Sequence, residues 1–487
     1  MRSAHAQGYF AICHQEFVVP CRDLGARCIY ALNRVVTVVV PSLSRRSWWS
    51  TLEWCYATIA LFALTQGPVY QLWRASAESL QIVAEPSLGH VHLATFVLVQ
   101  LPGLVLLARR VPSAWFSQRS LQMLMALLAW LMLTSITSTF ARQSIPEVLA
   151  LGVTACFGLY LVVSFSVRRV LSQVVVAMLA GLTVSYVAVV RLWEGSRNLV
   201  DDYWIGIYLN RNSLAPVAAM GMLSAVMLMI DCRPRSRGDT STFVACLAVV
   251  GFSGVMLYLS ESATSVAALI ITGVVVAVWL GVSRLTNDNA NPAQSGRVLA
   301  ATVVAAALVV GTALTYVAKS ASVFGRVETF SARAPIWSMN WSGFLERPLL
   351  GWGWQAAWNV PQFLKQGVWW AVPFENNWAH SGYFDLLLGG GVVAGLLFAG
   401  WVVVSCLQAA PAGSHAPAND DSQRTSVALS IFVLAAATQE SFFIGSHFLW
   451  ALLVWGLTSA VLGGRVSSRA ESPPTSVANA VPAALPR

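Results

Sequence analysis

The polar stretch Lys319–His380 contains GRVETFSARAPIW (residues 325–337) and ERPLLGWGW (346–354), and it ends in ENNWAH (375–380). It separates two long apolar runs and holds 8 of the chain's 20 tryptophans and five of its 30 basic residues. In so hydrophobic a chain, irregular backbone persists only where protein or water covers it. A long loop rich in aromatic residues is more often functional than disordered. We therefore expect the functional site in this stretch.

Composition indicates a polytopic membrane protein. Of the 487 residues, 56% are hydrophobic and only 10% are charged. Apolar runs of about 17–25 residues match a hydrocarbon core roughly 30 Å thick. The pattern predicts an all-α fold with about twelve transmembrane helices, and the large loop lies between the ninth and the tenth. The predicted spans are 54–72, 91–108, 120–139, 147–166, 170–190, 212–230, 242–259, 263–282, 298–317, 381–405, 425–440 and 446–463.

Arginine placement predicts the orientation of these spans, because Lys and Arg resist translocation across the membrane. With a cytoplasmic N-terminus, 20 of the 30 basic residues fall on the cytoplasmic side. Both termini are then cytoplasmic, and the loop 318–380 faces outward. The chain divides into a cytoplasmic segment (1–50), a transmembrane domain (51–465) and a cytoplasmic tail (466–487) whose Pro, Ser and Ala content predicts disorder.

The same features exclude several kinds of function. The net charge of +9 reflects topology, since no basic stripe interleaved with aromatic residues indicates nucleic acid. No phosphate-binding glycine loop follows a predicted strand. The outward histidines His90, His92 and His447 lack ligand-like spacing, so we expect no bound metal and no cofactor. The pair Asp201-Asp202 has two interpretations: a solvated loop, the commoner case, or a divalent-ion site.

The loop also contains a predicted helix. Pro335 suits its first turn, Pro348 ends it, and Arg333 lies at its start. One interpretation is an amphipathic helix on the bilayer surface, which accounts for some of the tryptophans but not for the arginines beside them. The apolar positions recur at i, i+4, i+7 and i+8, on one helical face: Trp337, Trp341, Phe344 and Leu345.

Four motifs carry a family resemblance. They are Asn210-Arg211-Asn212, ARAPIW (332–337), PLLGWG (348–353), and AHSGYF (379–384) followed by glycines. Their order, spacing and sidedness resemble the O-antigen ligase and polymerase superfamily over roughly residues 200–405. Two positions differ from the usual pattern. Relatives usually have His-Asn where this chain has His380-Ser381, and many have Arg after a Ser-x-Ser where this chain has Ser260-Glu261-Ser262-Ala263.

The resemblance implies a membrane glycosyltransferase on the outer face of the bacterial inner membrane. Its donor would be a glycan on a polyprenyl-pyrophosphate lipid, and its acceptor a hydroxyl of lipid A core, of another glycan or of a protein. The leaving pyrophosphate needs fixed positive charge, which arginine supplies through a planar donor fork. The acceptor hydroxyl needs a base, and neutral histidine suits that role. Aromatic faces suit both sugar and isoprenoid.

Site residues follow from the matched motifs. The resemblance implies catalytic roles for His380, Arg333 and Arg211. The alternative for Arg211 is an interfacial arginine that snorkels to water, and for His380 a helix cap. Glu375 either orients His380 or caps the loop, and the role of Glu440 at the end of the eleventh span stays open. The predicted substrate-binding residues are Arg326, Trp337, Trp352, Glu375 and Tyr383.

Two rival classes remain at this point. A flippase for lipid-linked glycans or a polysaccharide transporter would share the spans, but paired halves and midspan charges are typical of transporters. The sequence shows no internal repeat, and its polar residues gather on one predicted side. A purely structural partner of a polysaccharide assembly would keep the topology and tolerate loss of Arg333 or His380.

Overall fold

The protein is all-α in the part of the chain that the structure, a computed structural model, describes. The described residues are 48–71, 88–191, 195–197, 202–231, 237–286, 333–359, 378–409, 420–443 and 445–470. Within them, the α-helices are α1 Trp48–Leu64, α2 Leu88–Arg110, α3 Arg119–Ile136, α4 Ala141–Ser164, α5 Val167–Val190, α6 Arg211–Asp231, α7 Arg237–Ser260, α8 Ala263–Thr286, α9 Arg333–Glu346, α10 Gly382–Ala409, α11 Asp420–Ala436 and α12 Phe448–Ala470. The predicted all-α fold class is confirmed.

Six of these helices are long and apolar enough to cross a membrane, namely α3, α4, α5, α6, α7 and α10. The protein is therefore a multi-pass membrane protein, as predicted. Each predicted span overlaps a helix except 298–317, which lies outside the described residues together with 287–332 and 360–377. The span count and the course of the whole loop 318–380 thus stay predictions.

Several helix boundaries differ from the predicted ones. Helix α1 ends at Leu64, because Gln66 adopts a left-handed conformation (φ 70°) just before Gly67-Pro68. Helix α11 ends at Ala436, so Glu440 lies in the connection to α12 and not inside a span. At the other end of the chain, α12 continues to Ala470, past the predicted boundary at residue 465.

Helix α12 lies at the centre of the bundle and packs against α4, α10 and α11. Every residue from Leu449 to Trp455 is buried. A helix that is apolar all round needs such an environment, surrounded by other helices. The approach of α4 is close, since a Cβ added to Gly158 would lie 2.5 Å from the carbonyl oxygen of Ala451. Small residues commonly allow membrane helices to approach in this way.

Helix α10 is broken at Gly391 (φ 67°, ψ −165°), and the PLLGWG motif fills the break. Trp352 N donates to Leu388 O (2.7 Å), and Val392 N donates to Pro348 O (2.7 Å). A Cβ at Gly391 would lie 2.2 Å from Leu349 O, so only glycine permits this contact. The two glycine-rich motifs of the sequence therefore form one clamp, the 348–353/388–392 clamp. It joins the end of α9 to the middle of α10.

Candidate functional site

A buried carboxylate, Glu440, is the centre of a polar cluster. Its Oε1 accepts hydrogen bonds from Arg333 Nη2 and from Asn212 Nδ2 (2.7 Å). Its Oε2 lies 3.2 Å from His380 Nδ1. These four side chains come from four separate parts of the chain, and one carboxyl group joins them.

Arg333, the first residue of α9, is nearly fully buried at 6% exposure. Besides Glu440, its guanidinium donates through Nη1 to Gln439 Oε1 (2.9 Å) and, at 3.5 Å, to Thr264 Oγ1. A buried guanidinium is tolerated only when it is paired and hydrogen-bonded, and Arg333 meets both conditions. Its position at the start of a helix confirms the predicted start of the loop helix.

Asn212 reaches the carboxylate because Ser262 orients its amide. Ser262 Oγ donates to Asn212 Oδ1 (2.9 Å), which turns the amide NH₂ of Asn212 towards Glu440. Ser262 lies between α7 and α8, and Asn212 is the second residue of α6. The serine belongs to the Ser-x-Ser sequence that departs from the usual family pattern. Here this sequence supports the cluster through a hydroxyl.

His380 lies just before α10, and α9 holds its backbone. Trp337 Nε1 donates to His380 O (3.4 Å), and Asn340 Nδ2 donates to Ala379 O (3.1 Å). From the opposite side, Gly382 N donates to Glu440 O (3.0 Å). The imidazole is half-buried, with its Nδ1 against the carboxylate. It therefore has a fixed position and stays partly exposed.

Arg211 precedes Asn212 and lies at the same end of the bundle. Its guanidinium lies over the ring of Tyr203, 4.6 Å from the centroid. Among the described residues, no carboxylate lies within ion-pairing distance of this guanidinium, unlike that of Arg333. Arg211 thus carries a positive charge that no described acidic residue neutralises.

The electrostatics keep Glu440 ionised. Burial by itself would raise the pKa of the Glu440 carboxyl, because desolvation disfavours the charged form. The charge of Arg333 and the hydrogen bonds from His380 and Arg333 act in the opposite direction and prevail, so the pKa of Glu440 lies below its ordinary value. The carboxyl therefore accepts hydrogen bonds on both oxygens at neutral pH.

The predicted substrate-binding residues have different surroundings. Trp337 borders the cluster and is half-buried. Trp352 is buried in the clamp, donates to Gly343 O (2.9 Å) and lies under Arg347. Tyr383 donates its hydroxyl to Leu434 O (2.9 Å) and packs edge-on against Phe443.

Other polar residues lie apart from the cluster or outside the described part. Arg326 and Glu375 fall on residues that the structure does not describe. The same holds for Asp201, whereas Asp202 is exposed and pairs with Arg197 (3.6 Å). His447 is buried beside Phe442 and Phe448. Its neutral ring accepts a hydrogen bond from Leu449 N (3.2 Å) at the start of α12.

Sequence reasoning assigned no role to several members of the cluster: Asn212, Ser262, Thr264, Gln439 and Glu440. For Glu440 a signal existed, since an acidic residue near membrane depth is a functional candidate by default. Asn212 lies in the Asn210-Arg211-Asn212 motif, directly after the arginine that the resemblance marks as catalytic. Nothing in the local sequence distinguishes Ser262, Thr264 or Gln439 from ordinary residues at helix ends.

The fold and the cluster define a multi-pass membrane protein that holds a buried Arg–Glu–His group where the ends of several helices meet. Residues 247–399 match the sequence model of the O-antigen ligase family. This match confirms the resemblance over that segment: the chain carries an O-antigen ligase domain, and that family implies lipid-linked glycan substrates. The match covers about a third of the chain and includes Arg333 and His380, while Arg211 and Glu440 lie outside it. No curated protein matches the chain.

Proposed function

We propose that the enzyme transfers a glycan from a polyprenyl-pyrophosphate lipid to an acceptor hydroxyl at the outer face of the bacterial inner membrane. The observation that carries this proposal is the contact of one carboxylate, Glu440, with both Arg333 and His380. The reaction needs a base for the acceptor hydroxyl and positive charge for the pyrophosphate. The cluster supplies both, and Arg211 lies at the same end of the bundle. Both termini are then cytoplasmic.

His380 acts as the general base. The acceptor oxygen attacks the sugar carbon that carries the pyrophosphate, while the hydroxyl proton moves to the imidazole. A glycosidic C–O bond forms, and the C–O bond to the pyrophosphate breaks, so the leaving group departs with its electron pair. The half-buried ring has Nδ1 against Glu440, and no described residue hydrogen-bonds Nε2, so we assign the acceptor hydroxyl to this nitrogen. General-base catalysis of this kind contributes typically 10²–10⁴-fold.

Arg211 and Arg333 supply positive charge for the pyrophosphate. Fixed cations aimed at the charge that develops on a leaving group are among the strongest sources of catalysis. The guanidinium of Arg211 has no described carboxylate partner, which suits direct contact with phosphate oxygens. Arg333 already donates through both terminal nitrogens to protein groups, so its charge acts from within the wall of the site.

Aromatic residues form the sides of the proposed groove for sugar and isoprenoid. Trp337 suits this role best, because it is half-buried and donates to the backbone of His380. Trp352 and Tyr383 support the groove through packing and hydrogen bonds. Arg326 and Glu375, in the loop, complete the proposed set of substrate-binding residues. The acceptor is a hydroxyl of lipid A core, of another glycan or of a protein, so the enzyme is a ligase or a polymerase.

The proposal is tested with purified protein in lipid nanodiscs, supplied with a polyprenyl-pyrophosphate-linked oligosaccharide. Separate reactions contain rough lipopolysaccharide core, a second copy of the lipid-linked glycan, or an acceptor protein, and the product identifies the acceptor class. We expect transfer by the wild type, loss of about 10²–10⁴-fold in His380→Ala, and unchanged transfer in Ser342→Ala on the exposed face of α9.

Near-normal transfer by His380→Ala would refute the base assignment. In cells, the same variant separates an enzyme from a flippase. Loss of transfer leaves lipid-linked donor on the outer leaflet, whereas loss of flipping leaves it on the cytoplasmic leaflet. Donor trapped on the cytoplasmic leaflet would therefore contradict the proposed function.

A further inference from the structure

The two oxygens of Glu440 have separate partners. Arg333 and Asn212 both donate to Oε1, and among the described residues only His380 faces Oε2, through Nδ1. The partners of Oε1 are themselves held, Asn212 by Ser262 and Arg333 by Gln439. The carboxyl group therefore cannot rotate without breaking several buried hydrogen bonds. Its second oxygen stays directed at the histidine.

An ionised carboxylate only accepts hydrogen bonds. The nitrogen that faces it must therefore carry the proton, and in a neutral imidazole the other nitrogen is then the acceptor. From this geometry we infer that Glu440 is a positioning residue that holds His380 in the Nδ1–H tautomer, so that Nε2 presents its lone pair to the acceptor hydroxyl. The inference rests on the proposed function, in which His380 is the base.

Arg333 gains a second role from the same arrangement. Its buried charge stabilises the ionised form of Glu440, and the ionised form is the one that accepts from His380 on Oε2. The site thus resembles a catalytic triad in logic, with a carboxylate that orients a histidine. In serine proteases, replacing that carboxylate by an amide lowers kcat about 10⁴-fold because the histidine adopts the wrong tautomer.

Glu440→Gln is the decisive variant. Arg333 and Asn212 both donate towards position Oε1, so the amide oxygen occupies that position and the NH₂ group faces His380. The NH₂ then donates to Nδ1, the proton moves to Nε2, and the base is lost although size and shape are kept. We expect kcat to fall about 10²–10⁴-fold while KM for the lipid-linked donor changes only a few-fold.

The tautomer itself is measurable. Histidine labelled with ¹⁵N gives distinct Nδ1 and Nε2 shifts for the two tautomers, and the His380 signal is the one absent from His380→Ala. We expect the Nδ1–H form in the wild type at alkaline pH and the Nε2–H form in Glu440→Gln. Glu346→Gln, the same chemical change at the exposed end of α9, serves as the matched control and keeps both tautomer and activity.

The outcomes separate this inference from the proposed function. If His380→Ala is inactive but Glu440→Gln keeps a normal kcat, Glu440 has no positioning role while the base assignment stands. If His380→Ala keeps near-normal transfer, the base assignment fails, and if the wild type transfers no glycan, the proposed function itself fails. An Nε2–H tautomer of His380 in the wild type would by itself overturn the inference, so the test holds even if Glu440→Gln does not fold.

Discussion

Asn212 and Glu440 share a hydrogen bond of 2.7 Å although 228 residues separate them in the chain. The bond connects the start of α6 to the connection between α11 and α12. Both residues lie outside the segment that matches the family, whereas Arg333 and His380 lie inside it. The cluster is therefore assembled from the matched segment and from both of its flanks.

Asn212→Asp tests the hydrogen bond between this pair. The change places a second carboxylate beside Glu440, and we expect a loss of about 1.5–3 kcal/mol of stability, the range for hydrogen bonds to charged groups. Melting curves measure the loss, with Ser342→Ala on the exposed face of α9 as the control. An unchanged melting temperature in Asn212→Asp would show that this hydrogen bond does not stabilise the fold.

Removing Arg211 should weaken catalysis without unfolding the protein. Arg211→Ala loses a charge-assisted contact worth about 1.5–3 kcal/mol, or roughly 10- to 150-fold in kcat/KM for the lipid-linked donor. Lysine should restore little activity at position 211 or 333, because an ammonium is a point charge and cannot reproduce the planar, two-pronged donor geometry of a guanidinium. Kinetic assays and melting curves check this, with the exposed Arg142→Ala as the control. Full activity in Arg211→Ala or Arg333→Lys would exclude the proposed anion site.

The 348–353/388–392 clamp predicts a strong dependence on one glycine. Gly391→Ala places a Cβ 2.2 Å from Leu349 O at a φ of 67°, so the clamp must open. Left-handed strain alone costs on the order of 1–3 kcal/mol, and the clash adds to it. Gly251→Ala, in α7, meets nothing within 4 Å and should leave the melting temperature unchanged. Equal melting temperatures for the two variants would show that the clamp does not stabilise the fold.

Cysteine labelling tests the predicted orientation of the protein in the membrane. In a variant without native cysteines, Ser342→Cys on α9 should react with an impermeant maleimide added outside intact spheroplasts. Ser113→Cys, in the exposed connection between α2 and α3, should react only after permeabilisation. The reverse pattern would invert the topology and place the cluster on the cytoplasmic side.

Acid should destabilise the protein partly through Glu440. The pKa of Glu440 is lowered in the folded state, so its contribution is fully present above the unfolded value of about 4.3 and is lost as the pH falls through the folded value. Melting temperatures from pH 7 to pH 3 should therefore fall less steeply below about pH 4.3 in Glu440→Gln than in the wild type. Glu346→Gln should keep the same dependence of melting temperature on pH as the wild type. If the melting temperatures of all three proteins fall in parallel with pH, ionised Glu440 does not contribute to stability.

The sequence by itself determined the class of protein and the key motifs. Long apolar runs require helices in a bilayer, because no other local structure satisfies every backbone group there. Proline and tryptophan spacing located α9 with Arg333 at its first residue. Motif order identified the family, which the match to residues 247–399 confirms. These features depend on residues near one another in the chain, and periodicity and motif spacing detect them.

Only the tertiary structure decided which groups meet. It placed Glu440 between Arg333 and His380, brought Asn212 and Ser262 to the same carboxylate, and paired the PLLGWG motif with the glycines of α10. The physical reason is that a buried charge requires partners, but any nearby helix end can supply them. The partners are chosen by the packing of the helices, and local sequence patterns do not encode that packing.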